Sequence, residues 1–277
     1  NIGGNRRFIY EETIIRTDKV PSYDFNGPIN WGYGMQIGDL ANPNVGWEEV
    51  TKTNLGLELG FLKNSIRLQG DYFHEKRKGI FLQRNSIPGF AGISTMPYVN
   101  VGEMKNEGFE LSLEADRKVG EVSLTAMANM TYARNTVLNN DQPDWAELYR
   151  NRRGQRHQQI FGYQAIGFFN DEEEIANSPT QFGATVRPGD VKYKDINGDG
   201  VVNENDEIPM GYASGIPEIV YGFGVTGQWK GFDLGVMFQG VGHISFMLSG
   251  TSIYPFSSGN LGRAAVNEDI YKHRWHE

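Results

Sequence analysis

Thr53-Asn54-Leu55-Gly56-Leu57-Glu58-Leu59-Gly60-Phe61 alternates apolar and polar residues without a break. Side chains on an extended chain point to opposite faces in turn. Leu55, Leu57, Leu59 and Phe61 therefore share one face, and Asn54, Gly56, Glu58 and Gly60 the other. This is a strand with one apolar side.

The same period recurs around it. After a polar turn at Lys63-Asn64, Ile66, Leu68 and Tyr72 continue the apolar side against Arg67, Gln69 and Asp71. Phe109, Leu111, Leu113 and Ala115 alternate with Glu110, Ser112, Glu114 and Asp116. A turn over Arg117 to Gly120 leads to Val122, Leu124, Ala126, Ala128 and Met130. Ile219, Tyr221, Phe223, Val225 and Trp229 precede a tight turn at Lys230-Gly231, and Phe232, Leu234, Val236 and Phe238 follow it.

The pattern predicts six strands of roughly nine to eleven residues, long enough to cross a bilayer when tilted. Short turns alternate with two long connections, Lys76 to Gly108 and Arg134 to Pro217. Aromatic residues stand near strand ends, where a ring can be apolar on one side and wet on the other. The fold class expected is all-β, an antiparallel transmembrane β-barrel with long extracellular loops. A soluble β-sandwich shows the same alternation, so periodicity by itself leaves both open.

The 277 residues hold no Cys, 35 Gly and a 39% hydrophobic fraction. No run approaches the ~20 apolar residues of a spanning helix. A formal charge of -8 argues against nucleic acid, which needs a basic face. Arg150, Arg152, Arg153 and Arg156 are the dense basic cluster, read as a solvated loop face. Because the chain opens at Asn1 and stops at Glu277 in a polar stretch, it is read as a piece of something longer.

Several phrases resemble the SusC/RagA family of TonB-dependent outer-membrane transporters of Bacteroidetes. They are Asn1 to Asn5, Leu40 to Asn44 with Gly46 to Glu49 and Thr53 to Leu57, Asp71 to Gly79, Asn100 to Leu111, Pro188 to Gly200, Gly215 to Glu218 and Tyr221 to Gly224. They occur in family order along nearly the whole chain. The resemblance implies a barrel of roughly 22 strands with a plugged lumen. Residues 1–277 would form a middle-to-late portion of its wall, with the plug domain, the TonB-contacting segment and the final strands outside them. It also implies active import of a bulky nutrient, an oligosaccharide or glycan first and a peptide second. TonB would supply the energy, and a SusD-like surface lipoprotein would act as lid.

One motif carries metal chemistry on its own spacing. Asp195, Asn197, Asp199, the Val201 carbonyl and Asp206 occupy positions one, three, five, seven and twelve of a calcium-type loop, with Gly200 at six. Asp206 replaces the usual Glu, and Pro188 and Pro209 flank the loop without a helical period. A free-standing, structural calcium loop is expected; an Asx-rich turn without metal is the alternative.

Trp31, Tyr33, Tyr98, Trp145 and Tyr149, together with Tyr254 and Phe256, are loop aromatics that could stack on cargo, meet the lid or pack the loops themselves. No nucleophile elbow, phosphate loop or acid/base pair is recognisable, and the five His are scattered, so the chain is not read as an enzyme. Glu172 to Glu174 read as a solvated loop or short helix. The alternative function is a soluble, calcium-stabilised glycan-binding β-protein.

Overall fold

The computed structural model describes residues 10–22, 30–38, 40–91, 93, 96–249 and 268–273. Its first elements are a hairpin of β1 (Ile14–Ser22) and β2 (Asn30–Ile37). Four long strands follow: β3 (Glu49–Phe61), β4 (Ile66–Gln83), β5 (Tyr98–Val119) and β6 (Val122–Asn139). Residues 140–218 then form a loop block. It contains β7 (Gln159–Gly162), β8 (Ala165–Phe168), the short helix α1 (Glu172–Ala176) and β9 (Thr180–Gln181). β10 (Val191–Tyr193), β11 (Val201–Val202) and β12 (Ile208–Ala213) complete it. β13 (Ile219–Trp229) and β14 (Phe232–Gly242) return to the main sheet, and the short helix α2 (Glu268–Lys272) comes last.

Six strands form one antiparallel sheet in the order β14-β13-β6-β5-β4-β3. Two-residue turns, Gly120-Glu121 and Lys230-Gly231, close two of its hairpins. Lys230 and Gly231 both have positive φ, 47° and 87°. That conformation matches the strand twist, and glycine takes it without strain.

Continuous register allows rows to be read across the sheet. Phe61, Ile66, Ala115, Ala126, Val225 and Val236 form one row on one face. Leu59, Leu68, Leu113, Ala128, Phe223 and Phe238 form the next. Val119, Val122, Trp229 and Phe232 close this band at the turn end, and Leu55, Tyr72, Phe109, Tyr132 and Ile219 close it at the loop end. The opposite face has rows such as Glu58, Gln69, Ser112, Asn129, Gly222 and Gln239.

No described element covers the apolar band: Leu55 is 72% exposed and Leu234 75%. A water-soluble sheet would bury it, whereas a lipid-facing one need not. β13 has 11 residues, about 33 Å at ~3.3 Å per residue, or about 25 Å once tilted by ~40°. That height matches the apolar band of an outer-membrane barrel, with Tyr72, Phe109 and Tyr132 at one boundary and Trp229 and Phe232 at the other.

β4, β5 and β6 overrun the band. They have 18, 22 and 18 residues, beyond the nine to eleven predicted. The expected connection Lys76 to Gly108 thus shrinks to residues 84–97, and β6 runs on past Arg134 to Asn139. The reason is chemical. Above the membrane the period of two lapses, with His74 to Lys78 polar on both faces and Ile80-Phe81-Leu82 apolar on both, while backbone pairing continues. Gly108 permits one close crossing here, since a Cβ would collide with the Tyr132 carbonyl oxygen and lie 2.8 Å from the Phe73 ring.

Candidate functional site: the loop block and its anchorage

Phe169, Val202 and Ala213 are almost fully buried and form the small core of the loop block. Around them the buried groups are polar: Gln159, Gln181, Asp206 and Glu218. Each is satisfied. Gln181 Nε2 donates to the Val191 carbonyl at 2.9 Å, and its Oε1 accepts from Tyr193 N at 2.6 Å. Gln159 Nε2 donates to the Met210 carbonyl at 2.8 Å. Tyr163, Phe182 and Tyr193 meet edge to face beside this core. Burial, with Glu207 nearby, pushes the Tyr163 phenol up.

The calcium-type sequence forms a tight loop with no α-helix on either side; a one-turn 3-10 helix, Glu204–Asp206, closes it. Asp195 accepts from Gly198 N at 2.7 Å and from Gly200 N at 2.9 Å. Asn197 and Asp199 accept from Asp199 N and Val201 N at 3.0 and 2.9 Å. Gly198 and Gly200 have φ of 76° and 86°, which a side chain would strain. Asp206 is wholly buried. Its Oδ1 accepts from Ile196 N at 2.7 Å and Oδ2 from Asn203 N at 2.8 Å, closing a capping box. The five sequence-predicted ligands thus share one loop. Their carboxylates, however, fold onto backbone N–H groups, and among the described residues no three His, Cys, Asp or Glu gather as a metal-holding group. A carboxylate oxygen accepting one N–H keeps a second lone pair, so the donor chemistry suits a hard cation while the acids do not converge on one.

The loop aromatics separate. Tyr149 sits in a one-turn 3-10 helix and donates its hydroxyl to the Asn205 carbonyl at 2.6 Å, tying it to the calcium-type loop. Burial and the nearby Asp206 push its phenol up. Arg150 also reaches Asn205, at 2.5 Å, and stacks over the Trp145 ring at 4.3 Å. Trp31, Tyr33 and Tyr98 are not in loops. The first two lie on β2, and Tyr98 begins β5, stacked on Phe81 at 5.3 Å. Tyr254 and Phe256 fall outside the described residues.

The arginine cluster is a solvated face only in part: Arg152 is exposed and Arg153 half-exposed, while Arg150 and Arg156 are mostly covered. Arg152 stacks over Phe161 and Arg156 over Tyr212, at 4.4 and 5.0 Å, and Arg153 pairs with Asp144.

The anchorage of the block went unread in the sequence. Glu218, 5% exposed, lies immediately before β13. It accepts from Arg156 Nε at 2.5 Å and faces His243 Nδ1 at 3.2 Å, with Arg134 Nε at 3.9 Å. Tyr212 stacks on His243 at 4.4 Å. Burial raises the Glu218 carboxyl, but Arg156, His243 and Arg134 outweigh it and hold it below its ordinary range. One carboxylate therefore joins the loop block to β6, β13 and the end of β14. Asp141 makes a second clamp, accepting from Asn85 N, Ser86 N, the Ser86 hydroxyl and Arg84. Burial pushes that carboxyl up, and these donors bring it below the usual range. Separation along the chain hid both clusters; the Pro217-Glu218 junction before a strand was the available signal.

A one-sided apolar band of bilayer height, a polar opposite face and a folded block on the loop side define the wall of a transmembrane β-barrel. Residues 19–261 match the family described as TonB dependent receptor-like, beta-barrel, and the chain belongs to that family of the outer membrane.

It is 24% identical over 250 residues to TonB-dependent receptor P3 of Formosa agariphila, covering 85% of this chain and 24% of that protein. It is 26% identical to receptor P26 of the same organism, covering 75% and 21%, and 23% identical to TonB-dependent receptor SusC of Bacteroides thetaiotaomicron, covering 84% and 23%. The chain therefore spans about a quarter of the length of these relatives. Among solved structures, the RagAB peptide importer in its open-open state matches with a TM-score of 0.61 at 18% identity, over 86% of this chain and 24% of that one. The closed-closed state gives 0.58, also at 18%, over 85% and 25%. The fold is shared.

Proposed function

We propose that residues 1–277 form one stretch of wall, with its extracellular loops, in an outer-membrane importer of bulky nutrients. The carrying observation is the pairing of a lipid-facing band with a folded block anchored at its rim. The cargo is an oligosaccharide or, as the second choice, a peptide. TonB energises import through segments outside these residues, and a SusD-like lipoprotein covers the extracellular mouth. Trp145, 40% exposed beside Arg150, is the favoured cargo contact, with Trp31, Tyr33, Tyr98 and Tyr149 as the further candidates. The chain's own chemistry is binding and positioning rather than catalysis.

Calcium has a structural role in this proposal. Asp195, Asn197, Asp199, the Val201 carbonyl and Asp206 would hold it, supported by their spacing and by the two loop glycines. Millimolar Ca²⁺ should then raise the protection of residues 195–206 from hydrogen exchange in the full-length protein, and Asp199→Ala should abolish that gain. Equal protection in calcium and in chelator would remove calcium from the proposal.

The import reading is tested in cells carrying the parent gene with residues 140–217 replaced by a short linker. Growth on polymeric glycans, and separately on peptides, as sole carbon source is compared with wild type. Loss on one class identifies the cargo. Unchanged growth on both, with the shortened protein still in the outer membrane, would sink the reading.

A further inference from the structure

Trp145 lies in an irregular stretch whose neighbours Pro143, Asp144 and Ala146 are exposed. Its indole N–H has no acceptor among the described residues. A ring tethered by its backbone alone would sample several rotamers, and a binding partner would bear the cost of ordering it. The Arg150 guanidinium prevents this by standing over one ring face at 4.3 Å. With that face covered, the 40% exposure of Trp145 falls on its other face and its edges.

Arg150 is held in turn. Its side chain is 13% exposed, so it acts from behind the ring rather than from the surface. Nη1 donates to Asn205 Oδ1 at 2.5 Å, across 55 residues of sequence. Glu147 Oε2 lies 3.7 Å away, but Glu147 caps the same 3-10 turn, Leu148–Arg150, and moves with it. Tyr149 gives that turn a second tie, donating its hydroxyl to the Asn205 carbonyl at 2.6 Å. Asn205 is itself fixed: its N–H donates to Asn203 Oδ1 at 2.7 Å, inside the capping box closed by Asp206. Asp206 is wholly buried. One line of contacts thus runs from a buried carboxylate through Asn205 and Arg150 to a half-exposed aromatic ring.

On the import reading above, with Trp145 as the cargo contact, we infer that Asn205 is a positioning residue: through Arg150 it sets Trp145 as a single-faced platform on which a sugar ring of the glycan cargo stacks. A pyranose presents an apolar face of C–H groups, which suits an indole face, and a ring already ordered takes it without the cost of being ordered. Tyr149 is then a strut beneath the platform, and the loop of residues 195–206 is its foundation.

The test uses the full-length parent transporter. The difference between each protein and its Trp145→Phe derivative isolates the emission of Trp145, and acrylamide quenching of that component reads how freely the ring moves into solvent. Asn205→Ala should raise the quenching. Asn205→Asp keeps an acceptor oxygen for Arg150 and should restore the wild-type value. Cells carrying these variants are then given labelled oligosaccharides of starch, xylan and mannan, and uptake is followed against concentration. For each saccharide that wild type imports, Asn205→Ala should raise the half-saturating concentration about tenfold at an unchanged maximal rate. Asn205→Asp should behave as wild type. Arg150→Met leaves the 195–206 loop untouched and should repeat the Asn205→Ala result, which separates positioning from a misfolded loop. If Trp145→Ala raises the half-saturating concentration while Asn205→Ala and Arg150→Met do not, the ring works without this support. The inference then falls and the import reading stands. If Trp145→Ala leaves uptake of all three saccharides unchanged, or wild type takes up none of them, the glycan contact is wrong and the inference falls with it.

Discussion

The wall and the loop block use the same residue types in opposite places. Of the buried apolar residues described, Val137 alone lies in the six-stranded sheet; Phe169, Val202 and Ala213 lie in or beside the short strands of the block. The wall turns its leucines and aromatics outward and is held by its backbone ladder. The block turns polar side chains inward, with Asp206, Gln159 and Gln181 accepting or donating to backbone groups. In lipid every backbone polar group must be satisfied within the protein, and a closed strand ladder does this without a core. In water an irregular 140–218 segment cannot rely on a ladder, so buried side chains satisfy its backbone instead.

The sharpest way to break this contrast is at the junction. Glu218→Ala leaves Arg156 buried beside His243 and Arg134 without its carboxylate, a loss of about 3–5 kcal/mol for breaking a buried ion pair from one side. Because the cost falls on the anchorage, hydrogen exchange should accelerate throughout residues 140–217 while β3–β6 stay protected. Uniform acceleration in wall and block would show that the two are one cooperative unit.

The wall is probed by placing the same residue on its two faces. Leu113 lies near mid-height of the lipid-facing band, and Ser112 is its neighbour on the other side. Leu113→Arg should destabilise the folded barrel by about 2–4 kcal/mol, the cost of arginine at the bilayer midplane. Ser112→Arg should cost much less. Denaturant unfolding of the full-length protein in lipid measures both, and equal losses would mean that the faces are wrongly assigned.

Asp206→Asn makes a smaller change inside the block. It keeps the shape but replaces one acceptor oxygen by a donor, setting an N–H against the N–H of either Ile196 or Asn203. The expected cost is about 1–3 kcal/mol for an unsatisfied buried group. Measured in chelator, it should appear as faster exchange confined to 195–206; unchanged exchange would mean that the buried carboxylate does not hold the loop.

These regions also differed in legibility. The band from Leu55 to Phe61 and its partners was readable because lipid on one side and polar surroundings on the other impose a period of two. Above the membrane that constraint ends, so the upper parts of β4 and β5 lose the alternation although their pairing continues. Tyr98, at the start of β5, lacks a strand signature for the same reason. Within the block the Asp195–Asp206 motif was visible because its ligands are local. The Glu218 hub was not, since Arg156, Glu218 and His243 are brought together only by the return of the chain to β13 and the closure of β14.

The smallest expected effect is electrostatic and lies at the surface of the block. Glu174 in α1 accepts from Lys192 at 2.8 Å and from Asn170 through both its backbone N and its side chain at 2.9 Å. The Lys192 hydrogen bond, followed by those from Asn170, lowers its carboxyl from an ordinary 4.5 to about 2. A carboxyl lowered in the folded state stabilises that state above its unfolded value and loses the contribution as pH falls through the folded one. The link between α1 and β10 should thus be complete above about pH 4.5 and fade between there and about 2. Exposure and salt screen such a pair, so the response should be local: faster exchange at 170–177 at low pH, reproduced at neutral pH by Glu174→Gln. If the pH response of those amides were the same in Glu174→Gln as in wild type, the contact would not be what couples α1 to β10, and buried polar groups alone would account for the order of the block.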